Sequence, residues 1–417
     1  MHDRLLYQAR ISEGRLGMGN VMKPHFHFHS SLFLTSKQFP GEIVCFPSIL
    51  SPTFSSPSRN PLKTIRMDHD RNIHISSRAE TSKSILEDIL EVTPLASAGP
   101  NVFTNAQPLW RPPDARGIYG GICIAQSLKA AQSTIPSSFV VHSMHGQFVL
   151  AGMADKPLLY QVSVLNDGKS FATRTVKAVQ EERTIFIATI NLVRETNPRS
   201  KNVEHAEPMP QGVPGPPDSE NSSSSSGKLV PYMTKTVGLV NANSKFPHER
   251  QIHHWSKASD RISASADIHT HLAALAYICD NYLVGTIPHV QMIWDFVKPP
   301  LTEFDVGGKE LSRESSIHTR IPASDEGPER PHKGERRRIG MMVTLSHTMF
   351  FHSPSAVKAD EWMLSELTSH WAGDGRGIAT QKIWSKDDIL IASCVQEGVI
   401  RLADRDYIVT GESKSRL

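Results

Sequence analysis

Cysteine is scarce in this chain of 417 residues, and the four present are spread too widely to form a motif. Cys45, Cys123, Cys279 and Cys394 show no Cys-x-x-Cys spacing, which argues against a zinc site and against a disulfide framework. The last three sit in apolar runs and read as small buried thiols. Net charge is low too. Lys and Arg total 45 against 42 Asp and Glu, a formal +3, so there is no electrostatic case for nucleic acid as a partner. No apolar run approaches the ~18 residues of a membrane-spanning helix. The hydrophobic fraction is 39%, below the ~45–50% usual for folded domains with glycine counted in, so part of the chain is expected to stay unpacked. A single core rarely grows past roughly 250–300 residues, and two structural units are therefore expected.

What is present falls into segments. Residues 1–80 are rich in Ser, Pro, Arg and His and lack a sustained helical or strand period. His25, His27 and His29 alternate with Phe26 and Phe28; on a strand the imidazoles would share one face. No partner ligands follow, so the tract reads as an unstructured extension and not as a metal site. Met67 is an alternative start, and the basic, Ser-rich character weakly suggests a transit peptide. From Ile85 to about Glu195 the chain reads as one compact unit, bounded at 81–198. Gly120 and Gly121 open a segment ending before Pro136 that is apolar nearly all round, and such a helix must be enclosed on most sides. Strands are expected at Phe139–Leu150, Leu158–Leu165, Ser170–Val179 and Thr184–Val193. One buried helix followed by an antiparallel meander is an α+β pattern.

Residues 199–235 read as a linker, with five prolines between 208 and 217 followed by the run Ser222–Ser226. Such composition buries too little apolar surface to fold by itself. A second unit, 236–405, then repeats the first. Leu272–Cys279 is another helix apolar all round. Strands are expected at Val290–Val297, Met341–Phe351, Trp362–Leu367, Gly377–Trp384 and Ile389–Arg401. A charged insert at about 308–338, ending in Arg336-Arg337-Arg338, reads as a disordered, solvated loop. Residues 406–417 form a tail.

The halves overlay in order. His142-Ser143-Met144 matches His347-Thr348-Met349, Gly168–Thr173 matches Gly375–Thr380, and Phe186–Thr189 matches Leu390–Ser393, as in an internal duplication. The information lies where the copies differ. Val141 pairs with Ser346 in this overlay, and Leu192 with Gln396. Polar groups on core-facing strand positions cost free energy unless partnered, so this asymmetry marks either a functional site or a solvent-facing patch in the second half.

Several strings also carry a resemblance. RGIYGGICIAQSLKAA, VVHSMHGQFVLAG and LNDGKSFATRTVKAVQ in the first half, and LSHTMFFHSP, EWMLSELTSHWAGDGRG and LIASCVQEGVIRL in the second, resemble the type II acyl-CoA thioesterases, bacterial and peroxisomal, over roughly Ile85 to Leu402. The resemblance implies a double hotdog, with two antiparallel sheets each wrapped round a central helix and joined side by side. It implies hydrolysis of fatty acyl-CoA to free acid and CoA without a metal or redox cofactor. In that family an Asp, a Ser or Thr, and a Gln hold and activate water. The Gln carries over to Gln396, and the hydroxyl to Ser369 with Thr368 as its neighbour. The Asp position falls on Ser346, because this chain reads Leu345-Ser346-His347-Thr348 where the family reads LDHS.

A serine cannot replace a carboxylate as base. The expected site is therefore Ser346, Ser369 and Gln396, with His352 a substitute base on the same face as Ser346. His370 and Asp374, in an expected loop, are lesser candidates. A second departure is Ile122, where the family often has Gln. Gly120 and Gly121 either present backbone N–H groups to the thioester oxygen or only permit close packing. A non-catalytic acyl-CoA-binding pseudoenzyme is the alternative motivated by Ser346. A hotdog hydratase is a weaker one. Ser415-Arg416-Leu417 resembles the Ser-Lys-Leu peroxisomal address, which implies an import receptor as partner and a peroxisomal matrix location, with cytoplasmic or mitochondrial placement as alternatives. A homo-oligomer is left open.

Overall fold

The computed structural model describes residues 83–112, 115–194, 203–217, 231–293 and 337–403, together with the backbone of 295–296. Every described residue belongs to one compact unit, within Ile75–Leu417. The N-terminal extension with its histidines, Cys45, Met67, nearly all of the charged insert and the terminal tripeptide lie outside the described residues.

The first half runs α1 (Ile85–Leu90), β1 (Val92–Pro94), β2 (Val102–Asn105), α2 (Gly120–Gln132), β3 (Phe139–Phe148), β4 (Leu159–Asp167), β5 (Phe171–Gln180) and β6 (Arg183–Arg194). The second runs β7 (Tyr232–Val240), β8 (Gln251–Ala258), α3 (Ile268–Cys279), α4 (Thr286–Val290), β9 (Asp295–Phe296), β10 (Arg338–Phe351), β11 (Met363–Gly373), β12 (Arg376–Ser385) and β13 (Leu390–Leu402). Period-2 alternation with one buried face explains most strands. From Phe171 to Ala178 on β5 the buried side chains are Ala172, Arg174, Val176 and Ala178 in alternate positions, as one core-facing side requires.

The expected side-by-side joining takes the form of one continuous sheet. The described strands form one 13-stranded sheet in the order β1-β2-β4-β5-β6-β3-β10-β13-β12-β11-β8-β7, with β9 pairing beside β10. The halves are fused by antiparallel pairing of β3 with β10, from Ser346 opposite Gln147 to Phe350 opposite Ser143. Hydrogen bonding across that junction makes the two modules continuous. Every pairing is antiparallel except β9 with β10. α2 and α3 pack against each other and run antiparallel, since Lys129 near the end of α2 reaches Thr270 near the start of α3.

Three expected segments also take a different form. Val290–Val297 is not one continuous strand: α4 ends on Val290, a turn follows, and among the described residues only the two-residue β9 is strand. Asp374 and Gly375 form the tight turn joining β11 to β12, with φ 51° and 71°, the left-handed pair of a two-residue hairpin; His370 lies on β11 itself. Part of the linker is ordered. Residues 203–217 lie against the second half, where the buried indoles of Trp384 and Trp255 donate to the carbonyls of Glu207 (2.9 Å) and Pro214 (3.0 Å). Lys382 also pairs with Glu207 at 2.7 Å. The proline-rich tract needs no core of its own because it satisfies its carbonyls on a surface already folded.

α1 starts on a capping box, Ser84 and Glu87, worth about 1 kcal/mol. Glu87 also accepts from Ser263 N and Oγ at 3.1 and 3.0 Å, which ties the start of the first half to the second. α3 is capped by Asp267 through Thr270 N–H. α2 has no side-chain cap of its own. Its N-terminus faces a residue of the other half.

Candidate active site

On β13 the inward face is set by Ala392, Cys394, Gln396 and Gly398, all buried, while Val395 and Glu397 face the other way. Gln396 is fully buried. A primary amide there needs partners, and it has two. Its Nε2 donates to Asp280 Oδ1 at 2.7 Å, and it lies 3.4 Å from His347 Nδ1. Gln396 Oε1 and His347 Nε2 are buried atoms without a hydrogen-bond partner.

Asp280 ends α3. Leu272–Cys279 is buried without a break, and the next residue carries a charge into that interior. Asp280 as a residue stays partly exposed, while its carboxyl group is deeply packed. Burial raises its pKa above the ordinary carboxylate value. His347, the Gln396 amide and the Gly121 N–H, which donates to the carboxylate, each favour the charged form and limit that rise. The helix N-terminus adds partial positive charge at the same place. Asp280 is thus the anion that caps α2, supplied by the other half. The glycine pair makes the approach feasible. A Cβ at Gly121 would lie 2.7 Å from the Tyr277 carbonyl and 2.4 Å from the Tyr119 ring. Tyr119 Oη donates to that same carbonyl at 3.1 Å.

The structure brings only one of the three expected site residues to this point. Gln396 is there. Ser346 pairs with Glu397 and not with Gln396, whose partner on β10 is His347; Ser346 therefore faces the opposite side of the sheet. The cause is the place of a β-bulge. In β3 the skipped residue is His142, between Val141 and Ser143. In β10 it is Leu345, between Thr344 and Ser346, two residues earlier in the overlay. Shifting a bulge flips the side chains between the two positions. Thr344, opposite Gly398, shares the inner face with Gln396.

Ser369 lies on β11, two strands and so about 10 Å from β13, and its buried hydroxyl is spent on the Ile378 carbonyl at 2.8 Å. Thr368 bonds Thr380 at 2.6 Å on the outer face. His352 follows β10, contacts Ser393 Oγ at 2.8 Å, and sits with the outward residues of β13; burial lowers its pKa. It is not placed to serve Gln396. Asp280, Thr344 and the inward position of His347 were missed from sequence. The signal for Asp280 was present: a carboxylate directly continuing an all-apolar helix. Among the described residues no group of three His, Cys, Asp or Glu side chains is arranged to hold a metal ion.

Two family models match, the acyl-CoA thioesterase N-terminal domain over residues 107–193 and the acyl-CoA thioesterase C-terminal domain over 204–400. The chain belongs to the type II acyl-CoA thioesterase family. Relatives in this family include acyl-coenzyme A thioesterase 8 of Rattus norvegicus, 28% identical over 312 residues, covering 70% of this chain and 83% of that one. Another is peroxisomal acyl-coenzyme A thioester hydrolase 1 of Saccharomyces cerevisiae, 25% identical, covering 79% and 98%. The crystal structure of an acyl-CoA thioesterase II from Mycobacterium marinum superposes with a TM-score of 0.52 at 23% identity, over 77% of this chain and 98% of the other, and shows a shared fold. The boundary between the two matched thioesterase domains falls in the segment that leads to the strap 203–217.

Proposed function

We propose that this thioesterase hydrolyses fatty acyl-CoA to the free acid and CoA, with Asp280 as general base. The observation that carries the reading is the Asp280–Gln396 pair at the N-terminus of α2. Asp280 takes a proton from water as the water oxygen adds to the thioester carbonyl carbon. The tetrahedral oxyanion then collapses, the C–S bond breaks, and the proton held by Asp280 passes to the departing thiolate. Gln396 fixes one carboxylate oxygen through its N–H and presents Oε1 as an acceptor for the second water hydrogen. Thr344 offers a hydroxyl on the same face. General-base help of this kind is worth about 10²–10⁴-fold. A carboxyl whose pKa is raised by burial is a better base near neutral pH than an ordinary one.

The carboxylate that the resemblance demanded is supplied by Asp280. The disabled-enzyme alternative rested on Ser346 occupying that position, and it loses its ground. The test is thiol release from acyl-CoA esters of graded chain length. Asp280→Asn and Gln396→Ala should fall at least about 100-fold in kcat while keeping the parent's thermal unfolding midpoint. An Asp280→Asn enzyme as active as the parent would overturn the assignment, and absence of turnover by the wild type on every chain length would overturn the activity.

A peroxisomal location is proposed as well. The name of the yeast relative and the Ser415-Arg416-Leu417 string support it. A fluorescent fusion should collect in peroxisomes and become diffuse when the tripeptide is changed to Ala-Ala-Ala; an unchanged pattern would reject the tripeptide as the address.

A further inference from the structure

We infer that His347 is a positioning residue, which sets the orientation of the Gln396 amide and, through it, of the Asp280 carboxylate; the inference rests on the reading of Asp280 as base. His347 and Gln396 are directly opposed on β10 and β13 and both are buried, at 1% and 0% exposure. Gln396 has one nitrogen with two hydrogens. One points at Asp280 Oδ1, 2.7 Å away, and the other at His347 Nδ1, 3.4 Å away. A carboxylate accepts and never donates, so the nitrogen, not the oxygen, must face Asp280. That leaves His347 only one compatible role at Nδ1: it accepts, and its proton sits on Nε2. If Nδ1 carried the proton, donor would face donor. Turning the amide to relieve this would set Oε1 against the carboxylate. The imidazole therefore acts as a key that admits one amide orientation.

The surroundings leave it little freedom. From β3 the residue opposite His347 is Gly146, whose side-chain space is filled by the Phe186 ring. The titratable groups facing the imidazole are Cys394 on β13 and Asp280 at the end of α3, and the Cys279 thiol lies against Cys394. Burial lowers the basicity of His347, while Cys394 and Asp280 raise it, with a net rise. Cys394 lies beside the ring without meeting Nε2 in hydrogen-bond geometry. A proton taken up by His347 at Nδ1 would set donor against donor and break the amide's register.

The test uses substitutions that keep one ring nitrogen's position at a time. Asn places an acceptor near Nδ1, whereas Gln places one near Nε2. His347→Leu and His347→Gln should lose about tenfold in kcat with KM within about twofold, and His347→Asn should recover most of the loss. The profile of log kcat/KM against pH should carry two acid-side titrations in the wild type and only one in His347→Asn. In a Gln396→Ala background, His347→Leu should add no further loss, because the histidine acts through the amide. Full activity in His347→Leu would overturn the proposal. So would equal losses in all three variants without rescue by Asn, which would mark a packing role, or additive losses in the double variant. Failure of the base assignment reads separately, since it appears as an active Asp280→Asn enzyme whatever the His347 variants do.

Discussion

Asp280 Oδ2 lies 2.6 Å from the point where a Cβ on Gly120 would sit. The two residues are 160 positions apart and belong to different halves, yet a side chain on Gly120 would press on the carboxylate of Asp280.

Gly120 and Gly121 should therefore fail differently. Gly120→Ala presses on the end of a side chain, the Asp280 carboxylate. It should cut kcat about 10- to 100-fold, as sub-ångström displacement of reacting groups does, with a small change in stability. Gly121→Ala presses on the backbone carbonyl of Tyr277 and on the Tyr119 ring, which cannot yield without moving α3. It should cost about 1–3 kcal/mol. Steady-state kinetics beside urea unfolding separates the two; equal effects on both measures would contradict the distinction.

Ser346 faces away from Gln396, so Ser346→Ala should keep kcat within about twofold of the parent, and Ser346→Asp should bring no gain. Surface substitutions of this kind are worth about ±0.5 kcal/mol in stability. A large gain on introducing the carboxylate would place the base at 346 after all and would refute the register of β10 against β13.

The pH profile follows from the direction of the Asp280 shift. Burial raises its pKa, and the base works only when deprotonated. Activity should therefore fall as pH drops, with the midpoint of kcat/KM above the ordinary carboxylate range, and stay flat above it until a second group titrates. An acid midpoint inside the ordinary carboxylate range would show that the carboxyl is not the buried one.

The strap over the second half is tied by Trp384 Nε1 to Glu207 O. Trp384→Phe removes the donor, leaves that carbonyl unpaired and opens space in a fully buried position. A loss of about 1–3 kcal/mol is expected, read as a lower urea midpoint, together with faster proteolytic cleavage within 203–217. An unchanged midpoint and cleavage rate would mean that the strap is held elsewhere.

Much of this fold was legible in the sequence, for a physical reason. α2, α3 and the long central strands carry strong periodic or all-apolar signals, and those signals survive because each element has a defined buried face. β7 and β8 were missed. Along β7 only Tyr232 is buried, Lys235 and Thr236 are exposed, and the rest are half-buried, so neither face stands out. The site was half legible. Gln396 could be found as a polar intruder on an apolar face. Asp280 was passed over because an acid just after a helix looks like ordinary chain termination, and Ser346 was misplaced because bulges leave no mark in a gapless overlay. Alignment by string preserved the motif His-x-Met and lost the pleat.

The fusion at β3–β10 has a last consequence. The carboxylate, the amide and the imidazole belong to the C-terminal module, but the helix end that holds the carboxylate, with its two glycines, belongs to the N-terminal one. At the mirror-related end of the helix pair, the residue that closes α2 is Ser133 where α3 closes on Asp280, and the inward strand position is Leu192 where β13 has Gln396, so the Asp280–Gln396 pair has no counterpart at these two positions. The proposed site is thus built by both halves. Separately expressed halves would each be inert, and hydrolysis would return only on reassembly of the pair.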